Sequence, residues 1–370
     1  MRAFNVTLRQ AQGDCHGELV EPCLSNYAHV NNMKILPQRG DWIFVFLRWT
    51  ILLLLSIIGL MFVVRMPGTS YSGPFQPLSE SEQAVRDNLK SHVSILAGEI
   101  GERNLWKYDN LETSARYIEK ILGEAGYEVK KQAYRINDVQ VENLEGEIIG
   151  TSLPEEIILV GAHYDSVIGS PGANDNASGV AAVIELARLL KTEPLFRTVR
   201  FVAFVNEEPP FFQTGEMGSR VYASRSRQRG EKIIAMLSLE TIGFYSNQKG
   251  SQHYPLPFSL FYPDTANFIG FVGNVASRQL VRQAIEIFRS NTPFPSEGIA
   301  APGWIMGIDW SDHWSFWEEG YPAIMITDTA LFRYQYYHSH KDTPDKINYE
   351  HMARVVAGIS QIVRELATVK

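Results

Sequence analysis

From Ile43 to Val64 the chain is apolar apart from Arg48, Thr50 and Ser56. At 1.5 Å of helical rise per residue, such a run matches the ~30 Å hydrocarbon core of a bilayer. No polar stripe interrupts it, which argues against a buried helix of a soluble protein. Trp42 and Trp49 suit a membrane boundary, and Arg48 lies near one end, where a long side chain reaches the interface. The run is long for a signal peptide and no A-x-A-like site follows at Arg65-Met66-Pro67, so an uncleaved signal-anchor is expected. Lys34, Arg39 and Arg48 place the N-terminal side in the cytoplasm and the body outside it, a single-pass arrangement.

Beyond Leu78 the pattern changes to alternating helices and strands. Ser81 to Ile100 and Glu112 to Gly123 read as helices, the second stopped by Gly126. Ile157 to Ala162, Val199 to Val205, Ile233 to Leu239 and Ala323 to Thr327 are short continuous apolar runs, as buried parallel strands should be. Ala177 to Lys191 and Tyr349 to Ala367 complete the helical segments. The alternation predicts one α/β/α domain with a mixed, mostly parallel central sheet. Four segments follow: a cytoplasmic tail 1–41, a transmembrane signal-anchor 42–65, a linker 66–79 and a domain 80–370. The linker is punctuated by Pro67, Gly68, Gly73, Pro74 and Pro77. Residues 1–32 show no periodicity, and Met33-Lys34 would by itself open a compact signal-anchor.

The chain has 370 residues, 45% hydrophobic and 20% charged, ample for a sizeable core. Its formal net charge of -7 argues against a nucleic-acid partner. The basic run Arg225, Arg227, Arg229 and Lys232 reads as the solvated end of a helix. Both cysteines, Cys15 and Cys23, precede the body, so a metal there must be held by His, Asp and Glu.

Ionisable residues gather where the predicted strands end, the usual place for a site in an open α/β sheet. His163 and Asp165 follow the first apolar run, Glu207-Glu208 the second and Glu240 the third. Asp175 and His338 lie in loops. Histidine with several carboxylates suits zinc. Two ions would need a bridging group, for which Asp175 is placed at the start of a helix; Asp175 or Asn176 also reads as a plain N-cap before Ala177. Two adjacent acids after Phe201-Val202-Ala203-Phe204-Val205 are costly unless metal or water receives them. Pro209 favours an extended Glu208, which sends the two side chains in divergent directions.

These residues resemble a family, the co-catalytic zinc exopeptidases that include secreted bacterial leucyl-type aminopeptidases, glutamate carboxypeptidases and glutaminyl cyclases. The resemblance rests on Gly161-Ala162-His163-Tyr164-Asp165-Ser166, Gly172-Ala173-Asn174-Asp175-Asn176-Ala177-Ser178-Gly179, Phe204-Val205-Asn206-Glu207-Glu208, Gly218-Ser219, Ser311-Asp312-His313, Tyr337-His338 and Asp342-Thr343-Pro344-Asp345. It covers about residues 80–368, and the aminopeptidase branch is the nearest. It implies two zinc ions, one held by His163 and Glu240, the other by Glu208 and His338, with Asp175 between them. Glu207 would be the general base, Asp165 the carboxylate that orients His163, and Tyr337 the phenol that steadies an oxyanion. Asp312 and His313 match a motif lining the substrate pocket, or else support the Trp310–Trp317 segment. Glu240 departs from the pattern, since the family usually has Asp there. A longer ligand shifts or weakens the second site, and glutaminyl cyclases work with one zinc.

The implied activity is removal of N-terminal residues from peptide substrates. Its alternatives are glutaminyl-peptide cyclisation and a non-catalytic peptidase-like ectodomain. No G-x-S-x-G elbow follows a strand, which disfavours a serine nucleophile. His92, His253 and His351 read as ordinary surface or core residues, and His340 as a neighbour of the site. The aromatic cluster Trp304, Trp310, Trp314 and Trp317 reads as core.

Overall fold

The computed structural model describes residues 39–368. The expectations for the tail up to residue 38 lie outside them. Helix α1 spans Arg39–Val64. Its stretch Trp42–Val64, 23 residues with mean hydropathy 2.4, has no buried share. An apolar surface of that length on every side suits lipid and is costly in water.

The chain divides into two compact units inside α1, after Ser56, so the helix from Ile57 on belongs with the body. Residues 66–79, expected as a tether, lie on the body as a strap. Phe75 stacks on Phe294 at 5.5 Å between centroids and meets the edge of His351 at 5.0 Å. Arg289 donates to the Pro67 carbonyl at 2.8 Å, the Ser70 hydroxyl accepts from the Ser296 amide at 2.9 Å, and Arg354 donates to the Gln76 carbonyl. The strap ends where Ser79 and Glu82 form a reciprocal capping box at the start of α2, Glu80–Val93. Ser94–Ile100 continues that helix in a wider turn.

One eight-stranded sheet organises the rest, in the order β1-β2-β4-β3-β5-β8-β6-β7. The strands are β1 Lys130–Ile136, β2 Val139–Ile148, β3 Leu153–His163, β4 Arg197–Phe204, β5 Lys232–Glu240, β6 Ile269–Gly273, β7 Ser296–Ala300 and β8 Ala323–Thr327. β4, β3, β5 and β8 run parallel, as do β6 and β7, while β1, β2 and the β6–β8 junction are antiparallel. The expected mixed, mostly parallel sheet is therefore present.

Side-chain alternation splits the core into two layers. Ile158, Val160 and Ala162 of β3 with Val199, Phe201 and Ala203 of β4 face the larger layer. There the sheet is covered by α3 (Tyr108–Glu124), α4 (Gly179–Leu190), α6 (Arg278–Asn291) and α8 (Tyr349–Thr368). Ile157, Leu159, Val202 and Phe204 face the other side, against Tyr222 of α5 (Gly218–Gln228) and Phe316 of α7 (His313–Glu318).

The apolar runs identify the four central parallel strands. The β1–β2 hairpin carries mostly polar residues and turns at Asn137 and Asp138, both with positive φ (45° and 68°). The aromatic cluster expected in the core divides. Trp317 is part-buried and bonds the Ala323 carbonyl at 2.9 Å, whereas Trp304 is 83% exposed and Trp310 also faces outward. The cause is local: residues 301–312 run as a loop after β7 that buries Ala301, Ile308, Ser311 and Asp312 and leaves Trp304 and Trp310 on its outer side.

Candidate metal and active site

Four sheet strands deliver acids and a histidine to one end of the sheet. His163 is the last residue of β3 and Glu240 the last of β5, and the register pairs Gly161 with Ser238, so the two side chains leave the sheet as neighbours. Glu207 and Glu208 follow β4, and Asp328 follows β8. Asp175 comes from the loop before α4.

That loop is fastened on all sides. Asn176 donates to the Leu239 carbonyl at 2.8 Å and accepts from the Thr241 amide at 3.1 Å, gripping β5 on either side of Glu240. The same oxygen accepts from the Gly179 amide at 3.1 Å, so the cap of α4 is Asn176 and the Asp175 carboxylate stays free of that duty. Gly179 is required there, since a Cβ would lie 2.4 Å from the Leu239 carbonyl oxygen. The amides of Asn174 and Asp175 donate to the two oxygens of Asp342 at 2.8 and 3.1 Å.

The result is a cluster with too few internal partners. The His163 Nε2 is fully buried and has no hydrogen bond. Yet Asp175 Oδ1 lies 3.3 Å from it, Glu240 Oε2 3.4 Å and Glu207 Oε2 3.8 Å. The other oxygen of Asp175, also unbonded, lies 3.1 Å from His338 Nε2, and Glu208 Oε2 lies 3.3 Å from the same nitrogen. Asp175 thus turns one oxygen toward each histidine. Atoms of His163, Asp175 and Glu208 come within 4.8 Å of one another, while Glu240 and His338 approach pairwise.

These spacings test whether a metal fits. Ligands ~2.0–2.1 Å from a tetrahedral ion lie ~3.3 Å from one another. Nitrogen–oxygen separations of 3.1–3.4 Å around unbonded atoms match that edge. The donor set of imidazole and carboxylate, with no thiolate, also suits zinc. The fit is good.

Protonation points the same way. Burial pushes Glu208 up to about 7 and lifts Glu207 and Glu240 above the usual carboxylate range. Burial opposes a charged His163, but Glu240 and Glu207 outweigh it and raise its pKa well above the ordinary value. His338, opposed by burial and favoured by Asp175 and Glu208, rises to about 10. Burial alone would raise Asp175, yet the two histidines hold it below its usual value. Acids raised by burial beside histidines raised by acids mark a site short of positive charge, which a divalent cation supplies.

The paired glutamates diverge as expected. Glu208 is held by the Val167 amide at 3.1 Å and turns to His338; Glu207 turns to His163, and among the described residues its carboxylate accepts no hydrogen bond. Asp165 sets both. Its oxygens accept from the Glu207 and Glu208 amides at 3.1 and 3.2 Å. His163 Nδ1 faces the Asp165 backbone carbonyl at 3.2 Å and its carboxylate at 3.5 Å.

Tyr337 is half-buried, stacked on the His338 ring at 3.8 Å, and its hydroxyl has no hydrogen-bond partner among the described residues. It borders a cavity of ≈ 860 Å³, mouth included, shared with Glu240, Tyr262, Ile308, Trp310, Met325 and Phe332. Asp312 and His313 are fully buried and do not line that cavity. Burial pushes Asp312 up to about 7 and His313 down to about 4, and the His313 Nε2 bonds the Ile308 carbonyl at 2.7 Å.

Three further residues shape the site, and two of them, Arg103 and Asp328, belong to no motif. Arg103 is fully buried and donates to the carbonyls of Tyr164 (2.6 Å), Gly172 (2.8 Å) and Pro171, tying together the loops that carry His163 and Asp175. Asp328 accepts from Asn174 at 2.9 Å and from the Phe244 amide at 2.7 Å. Ser311 donates to Glu240 at 2.8 Å. An isolated arginine in a polar stretch carries no signal by which sequence could have found it.

Comparison with known proteins agrees with the geometry. The uncharacterized protein YfbL of Escherichia coli strain K12 is 39% identical over 311 residues, covering 81% of this chain and 95% of that protein. Among solved structures, a zinc aminopeptidase of Bacillus subtilis superposes with a TM-score of 0.61 at 16% identity, covering 76% of this chain and 95% of that one. The glutaminyl cyclase of Fimbriiglobus ruber reaches 0.54 at 19% identity, covering 80% and 99%. The model of peptidase family M28 matches residues 143–363, well over half of the sequence. With its strands, its loop and its cluster of acids and histidines in that order, the chain belongs to peptidase family M28.

Proposed function

We propose that the protein is a zinc-dependent aminopeptidase anchored to the membrane by α1. The observation that carries this is the buried His163 Nε2, without a hydrogen bond, among carboxylate oxygens at 3.3–3.8 Å beside an apolar cavity. His163 and Glu240 would hold one ion, Glu208 and His338 the other, and Asp175 would serve both. Zinc, when bound, supplies Lewis-acid polarisation of a carbonyl and a water of pKa near ~7.

The protein's own groups do the rest. Glu207, its carboxylate free of hydrogen bonds and raised in pKa by burial, takes the proton of the attacking water and returns it to the leaving amine. The unbonded Tyr337 hydroxyl donates to the carbonyl oxygen as negative charge develops there. The cavity beside Glu240 receives the side chain of the N-terminal residue. Asp165 holds the backbone of both glutamates, and with it the angle between base and ligand.

Purified full-length protein in detergent should contain two zinc ions per chain and release N-terminal residues from aminoacyl substrates, with both lost to a chelator. One zinc with conversion of N-terminal glutaminyl peptides to pyroglutamyl products would instead establish the cyclase. A folded protein that binds no zinc would leave only a binding ectodomain. Protease shaving of spheroplasts tests the anchor: an accessible, membrane-bound body is expected, and a soluble form beginning after residue 65 would refute an uncleaved span.

A further inference from the structure

Two loops on the cavity's outer wall carry no charge. Residues 255–262 and 301–308 contain no Asp, Glu, Lys or Arg, in a chain that is 20% charged. Uncharged apolar loops usually turn inward, but here large side chains stand in the open. Leu256 is 84% exposed, Leu260 77%, Trp304 83% and Met306 56%. Their neighbours Pro255, Phe258, Ile305 and, from β7, Ile299 line the cavity, so the exposed side chains rim its mouth. Scattered apolar residues on a surface need no explanation; a group of this size around one opening marks a contact surface.

The position of the chain leaving α1 says what the surface meets. Val63 packs against the small apolar cluster of Val272, Ala301, Ile308 and Met325, together with Ile299 and Ile305. Met66 fills the space over Gly298. Arg278 lies 3.9 Å over the Phe62 ring and donates to the Phe62 carbonyl at 2.9 Å, and Arg282 donates to the Arg65 carbonyl at 2.8 Å. The last turn of the apolar helix and the loop bearing Trp304 therefore belong to one packed cluster. Arg65, Arg278 and Arg282 stand beside it, where basic side chains meet lipid phosphates.

We propose that loops 255–262 and 301–308 insert their exposed side chains into the lipid surface, so that the cavity mouth opens at the bilayer interface. Tryptophan, leucine and methionine on a rigid loop suit the boundary between headgroups and acyl chains, ~5–10 Å deep. The substrates favoured by such a mouth are peptides that already lie on the membrane. The proposal rests on the reading of α1 as a membrane span.

The test places single cysteines in the full chain, with Cys15→Ser and Cys23→Ser as background, labels them with an environment-sensitive fluorophore and reconstitutes the protein in phosphatidylethanolamine/phosphatidylglycerol vesicles. Leu256→Cys and Trp304→Cys report the loops, and Leu53→Cys the helix. Lys120→Cys on α3, at the β2 end of the sheet, is the aqueous control. Circular dichroism in detergent confirms that each variant is folded. Bromine-labelled lipids should quench positions 53, 256 and 304 roughly twofold or more relative to position 120. Quenching at 53 without quenching at 256 or 304 overturns the proposal and leaves the catalytic reading standing. Loop labels shielded from aqueous iodide but untouched by lipid bromine would mean a protein covers them, a second copy if the shielding grows with concentration, and also overturn it. Absence of quenching at 53 removes the span itself and the proposal with it.

Discussion

Two groups of charged residues in the body are built on opposite rules. On the face of β4 that meets α5, Arg200 bonds Glu147 at 2.7 Å and Glu231 at 2.9 Å. Lys130 adds a bond to Glu147 at 2.6 Å, Arg229 one to Glu231 at 3.0 Å, and the Tyr222 hydroxyl bonds Glu145. Every acid there has a cation or a donor. At the carboxyl ends of the central strands, Glu207, Glu208 and Glu240 stand 3.3–3.8 Å from two histidines; Glu208 and Glu240 keep one donor each, from Val167 and Ser311, while His163 Nε2 and one Asp175 oxygen have no partner. Paired charges lock a structure, whereas a cluster left short of positive charge is ready to take something up. The difference separates architecture from chemistry without any reference to motifs.

The contrast can be broken from either side. The largest effect is expected for Glu207→Gln, which keeps the shape and removes the basic oxygen: turnover should fall ~10²–10⁴-fold. Zinc content, measured by atomic emission, and the melting midpoint should stay as they were, because no proposed ligand is lost. Glu208→Gln should lower zinc affinity as well as turnover, and an exchange of the two phenotypes would exchange the two roles.

Arg200→Ala should do the converse. It leaves the acids Glu145, Glu147 and Glu231 short of a partner inside the fold, at a cost of about 3 kcal/mol given that Lys130 and Arg229 remain. Denaturant unfolding should show the loss while zinc stoichiometry and turnover per folded molecule stay unchanged. A change in metal binding would mean that the two groups are not independent.

The smallest effect is a pH dependence. Burial alone would raise the pKa of Glu231, but Arg229 and Arg200 outweigh it and bring it down to about 2. Its folded value lies below its unfolded one, so its contribution is complete above about pH 4.5 and fades as pH falls toward 2. The difference in unfolding free energy between wild type and Glu231→Gln should shrink over that window. A difference that does not change with pH would show that the carboxylate is not held by its arginines.

Sequence was informative wherever apolar side chains had no choice of environment. β3, β4, β5 and β8 are buried on both faces and read as continuous apolar runs; their ends then located His163, Glu207, Glu208 and Glu240. The β1–β2 hairpin escaped because polar residues dominate it, although Asn137-Asp138 between alternating segments was a usable turn signal. Helix α6 had a clear helical period in Leu280, Val281, Ala284, Ile285 and Phe288. The exposure of Trp304 was not legible, since an apolar residue on a loop looks the same in sequence whether it faces core or lipid. Arg103 was not legible either: its role is set by carbonyls at Tyr164, Pro171 and Gly172, and backbone carbonyls leave no mark on residue identity.

The Asp342 clamp has a consequence for the life of the chain before it is finished. Asp342 holds the amides of Asn174 and Asp175 from 168 and 167 residues away, and His338 sits just before it. A chain still in synthesis has already delivered His163, Asp175, Glu208 and Glu240, but neither the clamp nor the last histidine. On the proposed reading of the site, arrested chains ending before Tyr337 should bind less zinc than the complete protein. The site is closed by the last tenth of the sequence to be made.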